Sequence, residues 1–266
     1  MKTFISDLRG SIVSTLVLAL VCCGLYPVVV WGIAQATFKD KANGSLITDA
    51  TGTVRGSKLL AQGFTSDKYF IPRPSAAGAG YDATSSGGSN LGPTSKKLLN
   101  GTVKSTALAA AQPDGTLPSG PDIVDYDGLK LRVIGYCDQN GIPYQLIQDG
   151  KQVDPKTFKD AKGDYDQVKL INAFNDDAKP ESRPLTVVAS TTIPADAITA
   201  SGSGLDPHIS LKNAEIQAPK VARTRGIAES KVKELIQSNT DHADFGVLGE
   251  SGVNVLTLNL ALDSIH

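Results

Sequence analysis

Cysteine is scarce in this chain of 266 residues: there are three, and two of them, Cys22 and Cys23, lie side by side in an apolar run. Cys137 stands alone beyond that run, so the remainder of the chain has no internal disulfide. No C-x-x-C pair occurs, and His208, His242 and His266 lack metal-ligand spacing, which excludes the usual zinc patterns. An excess of either charge is missing too. Twenty-six Lys and Arg against 27 Asp and Glu leave a formal charge of −1, so there is no basic field for nucleic acid and no acidic tail. A single Trp beside 26 Gly and 14 Pro argues against a helical bundle and for a turn-rich domain.

Between Arg9 and Lys39 charged side chains are absent altogether. The apolar stretch from Ile12 to Ala34 gives about 35 Å of helix, enough to cross a bilayer core. Tyr26 and Trp31 sit toward its far end, where amphipathic rings favour the headgroup level. A cleaved signal peptide is the rival reading, with Lys2 and Arg9 as its basic region and Ala34-Gln35-Ala36 as a cleavage site. Signal h-regions run to about 7–15 residues, so the length favours a retained anchor. Either route takes the rest of the chain out of the cytoplasm. A short tail before a long domain fits an N-terminus inside. Ser11, Thr15, Ala19 and Cys23 recur every four residues, as in faces that let a second helix approach closely, although small residues are common in any membrane helix. Pro27 removes a backbone donor and is expected to kink the last turns.

Beyond the helix, residues 43–72 alternate and are punctuated by turns, as short strands are. Residues 73–95 are rich in Gly, Ser, Pro and Ala, yet Tyr69, Phe70, Arg73, Tyr81, Asn90 and Leu91 mark them as an ordered loop. Residues 100–185 read as an insertion. Within it, Leu129 to Tyr136 reads as a strand, Asn140-Gly141 as a turn and Tyr144 to Ile147 as the returning strand. Asp149-Gly150 marks another turn, and Asp160 to Pro184 is polar and loop-like. Ser210 caps an expected helix through Leu211, Ala214, Ala218, Val221 and Ala222, with Pro219 as a break or restart. A second helix begins near Ser230 and ends before Asn239. Val253 to Leu262 closes the chain as a strand turning into a last helix. The expected class is α+β: one transmembrane helix in residues 1–38, then a single soluble α+β domain, 39–266, carrying a β-rich insertion.

No catalytic pattern survives inspection. Gly87 to Thr94 nearly matches G-x-x-x-x-G-K-[ST], but Pro93 stands where the phosphate-binding lysine belongs and brings neither charge nor N–H. Gly78-Ala79-Gly80 lacks a preceding strand and a third Gly at the dinucleotide spacing. No Ser has Gly at both −2 and +2. His208, after Asp206-Pro207, reads more readily as a turn residue than as a base.

Four dense strings have no catalytic logic: Gln62 to Ser75, Ser86 to Thr94, Thr199 to Ser210 and Asn254 to Asp263. Gly with interleaved Asn and Ser suits tight turns and close backbone approach, so such loops fold on themselves or meet a partner. Taken together the strings resemble the C subunit of the bacterial potassium-transporting P-type ATPase, the KdpC family of the Kdp complex. The resemblance rests on the YF-x-x-RPSA block at Tyr69 to Ala76, on SGGSNLGPT and on TASGSGLDPHIS, in that order. Gln217 to Ala222 with Arg225-Gly226, and Leu248-Gly249-Glu250 before Val253-Asn254-Val255, extend it. Residues 100–185 depart from it, being longer than the helical segment such proteins have there; Lys104 to Gln112 matches the start of that segment.

What the resemblance implies is a non-catalytic subunit of a high-affinity potassium uptake complex in the bacterial inner membrane, single-pass, its C-terminal domain extracytoplasmic. Its implied partners are a channel-like potassium-binding subunit and a P-type ATPase subunit. No Asp-Lys-Thr-Gly phosphorylation motif is present, in keeping with hydrolysis elsewhere. The resemblance also implies a catalytic chaperone role, in which ATP is reached through the ATPase subunit and Gln217 is the matching glutamine. An entrance-capping role over the potassium subunit is the alternative within the family, and a secreted or anchored binding protein the alternative outside it. Partner-interface candidates are Ser11, Thr15, Ala19 and Cys23 on the helix, Tyr69, Phe70 and Arg73, Ser86, Gly87, Gly88, Ser89 and Asn90, and Ser203, Gly204 and Asp206.

Overall fold

The N-terminal apolar run is helical from end to end. In the computed structural model it comprises α1 (Lys2–Ala19), a π-helical turn (Leu20–Leu25) and α2 (Tyr26–Thr37). Together Phe4–Thr37 form one 34-residue helix, long and apolar enough to cross a membrane. The π turn has a local cause. In a regular α-helix the ring of Pro27 would collide with the carbonyl four residues back, at Cys23, and widening the turn relieves that contact. The Tyr26 N–H accordingly donates to the Val21 carbonyl, one residue further back than usual.

The structure describes residues 2–49, 51–104, 124–160, 162–176, 183–243 and 245–265. Beyond Lys104, the segment expected to run to Gln112 lies outside them. Contacts divide the chain into two units, Met1–Leu59 and Leu60–His266. The first unit adds the short helix α3 (Lys39–Ala42) and an antiparallel hairpin of β1 (Leu46–Thr48) and β2 (Val54–Ser57).

In the second unit residues 60–95 carry no described helix or strand. They are followed by α4 (Lys96–Asn100), β3 (Thr102–Val103) and β4 (Val124–Tyr126), the two strands pairing antiparallel. Next come α5 (Gly128–Asn140), β5 (Tyr144–Gln148), β6 (Lys151–Val153), α6 (Gln167–Phe174) and β7 (Thr186–Ala189). Strand β5 is central in an antiparallel sheet of order β6-β5-β7. The β5–β6 connection is Asp149-Gly150, and both residues have positive φ, as a tight hairpin of this twist requires. The chain continues through α7 (Ala195–Ile198), β8 (His208–Ile209), α8 (Leu211–Arg225), α9 (Glu229–Ser238), β9 (Thr240–Asp241), β10 (Gly252–Asn254) and α10 (Val255–Asp263). The second sheet has the order β8-β10-β9.

Two apolar cores result among the described residues. One gathers Phe70, Ile209, Ala214, Ala218, Val221, Val232, Ile236, Val253, Leu258 and Leu262 from α8, α9, α10, their sheet and the preceding loop. The other gathers Leu131, Ile134, Leu146, Phe158, Leu170, Phe174 and Leu185. Ser210 and Asn254 cap α8 and α10, each side-chain oxygen accepting from the backbone N–H three residues on.

Three local expectations are corrected. Leu129 to Tyr136 lies in helix α5, not in a strand, and β5 pairs with β6 and β7 instead. Leu129, Leu131 and Val133 alternate, but the side chains that become buried are Leu131, Ile134, Tyr136 and Cys137, and the spacing of Leu131, Ile134 and Cys137 is helical. Pro219 does not break α8. It lies on the exposed face above Glu215, so water can satisfy the Glu215 carbonyl that loses its partner. Asp160 to Pro184 is not all loop, because Asp166 accepts from the Lys169 N–H and starts α6.

Candidate functional site

The glycine- and serine-rich strings fold onto one another. Arg73 pairs with Asp206 at 3.1 Å and donates a second, longer bond to the Ala200 carbonyl. Tyr81 donates to the Arg73 carbonyl at 2.8 Å, and burial pushes its phenol up to about 12. Ser75 donates to the Gly204 carbonyl at 2.6 Å and accepts from the Tyr81 N–H at 2.8 Å. From the next string, the Gly87 N–H and the Ser86 hydroxyl both donate to the Ser203 carbonyl, at 2.9 and 3.0 Å.

Contact at the centre is backbone to backbone. Gly204 has φ +68°, and a Cβ there would stand 2.5 Å from the Gly87 carbonyl oxygen and 2.7 Å from the Ala77 nitrogen. A Cβ on Gly88 would stand 3.0 Å from the Gly202 oxygen. These glycines permit the chain to meet itself.

Gln217, only 1% exposed, reaches the same segment from α8. Its carboxamide accepts from the Ile71 N–H at 2.8 Å and donates to the Ile71 carbonyl at 3.1 Å and to Asn213 at 2.9 Å. Asn259 on α10 treats Phe70 in the same way, accepting from its N–H at 2.8 Å and donating to its carbonyl at 2.9 Å. Both amides replace the ladder a neighbouring strand would give. Gln217 also edges a cavity of about 420 Å³ lined by Ile71, Tyr81, Arg132, Tyr136 and Asn213. The Arg132 guanidinium in that wall is held by both oxygens of Asp127, at 2.8 and 2.7 Å.

His208 stands between two carboxylates. Its Nδ1 is 3.5 Å from Asp206 and its Nε2 is 2.9 Å from Asp241. The Asp206 hydrogen bond, then that to Asp241, outweigh burial and raise the imidazole above its ordinary range. The same contact to His208 lowers Asp206. With both nitrogens facing carboxylates, the ring braces β8 against β9 and is not a free base.

Of the sequence-predicted positions, Arg73, Ser86, Gly87, Gly88, Ser203, Gly204 and Asp206 are thus brought together. Ser89 and Asn90 continue the same loop, Asn90 with φ +54°. Tyr69 lies apart, donating to Asp263 at 3.0 Å beneath the Arg225 guanidinium, while Phe70 is in the first core. Ser11, Thr15 and Ala19 lie on α1 and Cys23 in the π turn, all belonging to the other unit. Sequence reasoning gave no role to Asn259, Asn213 and Ser75, and read Tyr81 only as a mark of an ordered loop. Asn259 stood within the string Asn254 to Asp263, as a lone amide in the apolar run Leu256 to Leu262.

The family model described as KdpC, the K+-transporting ATPase c chain, matches residues 8–126 and 160–264. The chain belongs to the KdpC family. It is 37% identical over 259 residues to the potassium-transporting ATPase KdpC subunit of Mycobacterium tuberculosis H37Rv, covering 97% of this chain and 98% of that one. The KdpC subunits of Myxococcus xanthus and Geobacter metallireducens are 36% and 35% identical over 262 and 261 residues, each covering 98% of this chain and 88% and 98% of their own length.

Both halves of the folded-together site fall in the KdpC-matched segments. Residues 127–159 lie between those segments and hold α5 and the β5–β6 hairpin. As a KdpC subunit the chain is an accessory part of a potassium-transporting ATPase, with one N-terminal apolar helix consistent with a single membrane pass.

Proposed function

We propose that this chain is the non-catalytic subunit of a high-affinity potassium uptake complex, stabilising the assembly and capping the potassium entrance of a channel-like partner, while a P-type ATPase subunit hydrolyses ATP. Its N-terminus lies in the cytoplasm and residues 39–266 lie outside the inner membrane. The observation that carries the capping role is the state of Gln217: its carboxamide is buried and spent on Ile71 and Asn213, as a structural group would be.

A second reading, in which the chain raises the ATP affinity of the ATPase subunit, has the cavity beside Gln217 in its favour. Equilibrium titration of ATP against the full chain, alone and with its partners, separates the two. Capping expects no saturable binding by the chain alone in the micromolar range, and an unchanged KM for ATP in complexes carrying Gln217→Ala. Saturable micromolar binding by the chain alone overturns it.

A further inference from the structure

The 34-residue apolar helix ends at Thr37, yet the residues just beyond it keep presenting large apolar side chains to solvent. Phe38 is 62% exposed, Leu46 51%, Val54 53% and Leu59 62%, all in the same unit as the helix. Strand register puts two of them on one face of the β1–β2 hairpin: Thr48 pairs with Val54, and Leu46 lies two residues before Thr48. Hydrogen bonds fix where that hairpin stands. At Phe38 the backbone leaves the helix, with φ −136° and ψ 44°. The carboxamides of Gln35 and Asn43 exchange two bonds, at 3.2 and 3.3 Å, which holds Asn43 within side-chain reach of the last helical turn. The Ser45 N–H donates to the Asp40 carbonyl at 3.0 Å, the Ser57 hydroxyl to the Gly44 carbonyl at 2.7 Å and the Lys58 N–H to the Ser45 carbonyl at 3.0 Å. The base of the hairpin is thus tied to the helix end.

We propose that this hairpin, together with Phe38 and Leu59, rests in the lipid headgroup layer where the helix leaves the bilayer, with Leu46 and Val54 facing the acyl chains. Depth argues for lipid as the occupant. Gln35 ends the apolar run of Ile12 to Ala34 and so marks the hydrocarbon boundary. The headgroup layer beyond that boundary is about 5–8 Å thick. An Asn43 bonded to Gln35 starts the hairpin in that layer or at its edge. Apolar side chains gain there from the acyl boundary, as those of interfacial segments do. Charge agrees. Asp49 accepts from the Thr51 and Thr53 N–H groups and pairs with Arg55 at 2.7 Å, so the hairpin spends its carboxylate internally. Lys39, Lys41 and Lys58 then outnumber Asp40, and a lysine lays its stem along apolar surface while its ammonium meets lipid phosphate.

The proposal rests on the membrane-spanning reading of the helix, and the test keeps the two apart. Full-length chain is reconstituted without partners in vesicles of phosphatidylethanolamine and phosphatidylglycerol. Trp31 of the wild type reports on the helix, since the chain has one Trp. Leu46→Trp and Val54→Trp, each in a Trp31→Phe background, report on the hairpin. Both replace exposed side chains, so thermal unfolding is expected to stay at the wild-type value. Emission from both variants is expected to be blue-shifted, to lose intensity in lipid brominated near the glycerol end of its acyl chains, and to resist iodide. Solvent-like emission that iodide quenches overturns the proposal, and the helix reading stands if brominated lipid still quenches Trp31. If Trp31 also escapes brominated lipid, both fall. Shielding of positions 46 and 54 that appears only when the partner subunits are added assigns the face to protein and overturns the proposal as well.

Discussion

The carboxamides of Gln217 and Asn259 bracket a single peptide bond, the one joining Phe70 to Ile71. Successive residues of an extended chain point their N–H and C=O groups to opposite sides, so each residue needs its own partner. Asn259 from α10 satisfies Phe70 and Gln217 from α8 satisfies Ile71, and the segment is seated between two helices without being a strand.

Removing Asn259 leaves the buried N–H and C=O of Phe70 unpaired, and removing Gln217 does the same to the half-buried Ile71. Gln217→Ala is expected to lower the unfolding free energy of the chain by about 1–3 kcal/mol, with Asn259→Ala similar. Because both act on one peptide unit, the double variant should fall short of additivity. Urea unfolding of the full chain in detergent, followed by circular dichroism, measures this; an unmoved midpoint for Gln217→Ala would show that the bonds contribute nothing net.

Two neighbouring glycines should behave in opposite ways. Gly204→Ala meets backbone at 2.5 and 2.7 Å from a positive φ, whereas Gly202→Ala meets nothing within 4 Å. The first is expected to cost at least about 2 kcal/mol and the second almost nothing. Thermal unfolding of the pair decides it, and equal Tm values would rule out close backbone approach at Gly204.

His208 supplies a pH dependence of definite sign. Its folded pKa is raised, chiefly by Asp206, then by Asp241. The protonated brace is therefore complete below the unfolded value of about 6.5 and is lost as pH rises through the higher folded value. Asp206 works in the other window: its lowered pKa adds stability above the unfolded carboxylate range that is lost as pH falls through the folded value. Wild type should therefore lose stability between mildly acidic and alkaline pH, and His208→Gln should flatten that part of the profile. A profile that the substitution leaves unchanged would remove His208 from the account.

Retention of the N-terminal helix has a direct readout. The intact mass of membrane-extracted chain is expected to include residues 1–36, and a mass lacking them would identify a cleaved signal peptide.

Much of the fold was legible locally. Ser210 announced the start of α8, and Asp149-Gly150 the β5–β6 turn, because caps and tight turns depend on a few consecutive residues. The site was legible only in part. Arg73, Ser86, Gly88, Gly204 and Asp206 were singled out by the strings that hold them and the resemblance those strings carry, yet their mutual contacts join residues more than a hundred positions apart.

By itself the sequence determined the membrane-length helix, since an uncharged run of that length has one regular way to satisfy its backbone in an apolar medium. It also placed the turns and caps. Tertiary structure decided the rest. Leu129 to Tyr136 fits a strand or a helix by pattern, and packing of Leu131 and Ile134 with Leu170 and Phe174 selects the helix. Gln217 could equally have faced solvent or a ligand; it pairs with Ile71, 146 residues away, because α8 and α10 converge on a loop that has no strand partner of its own.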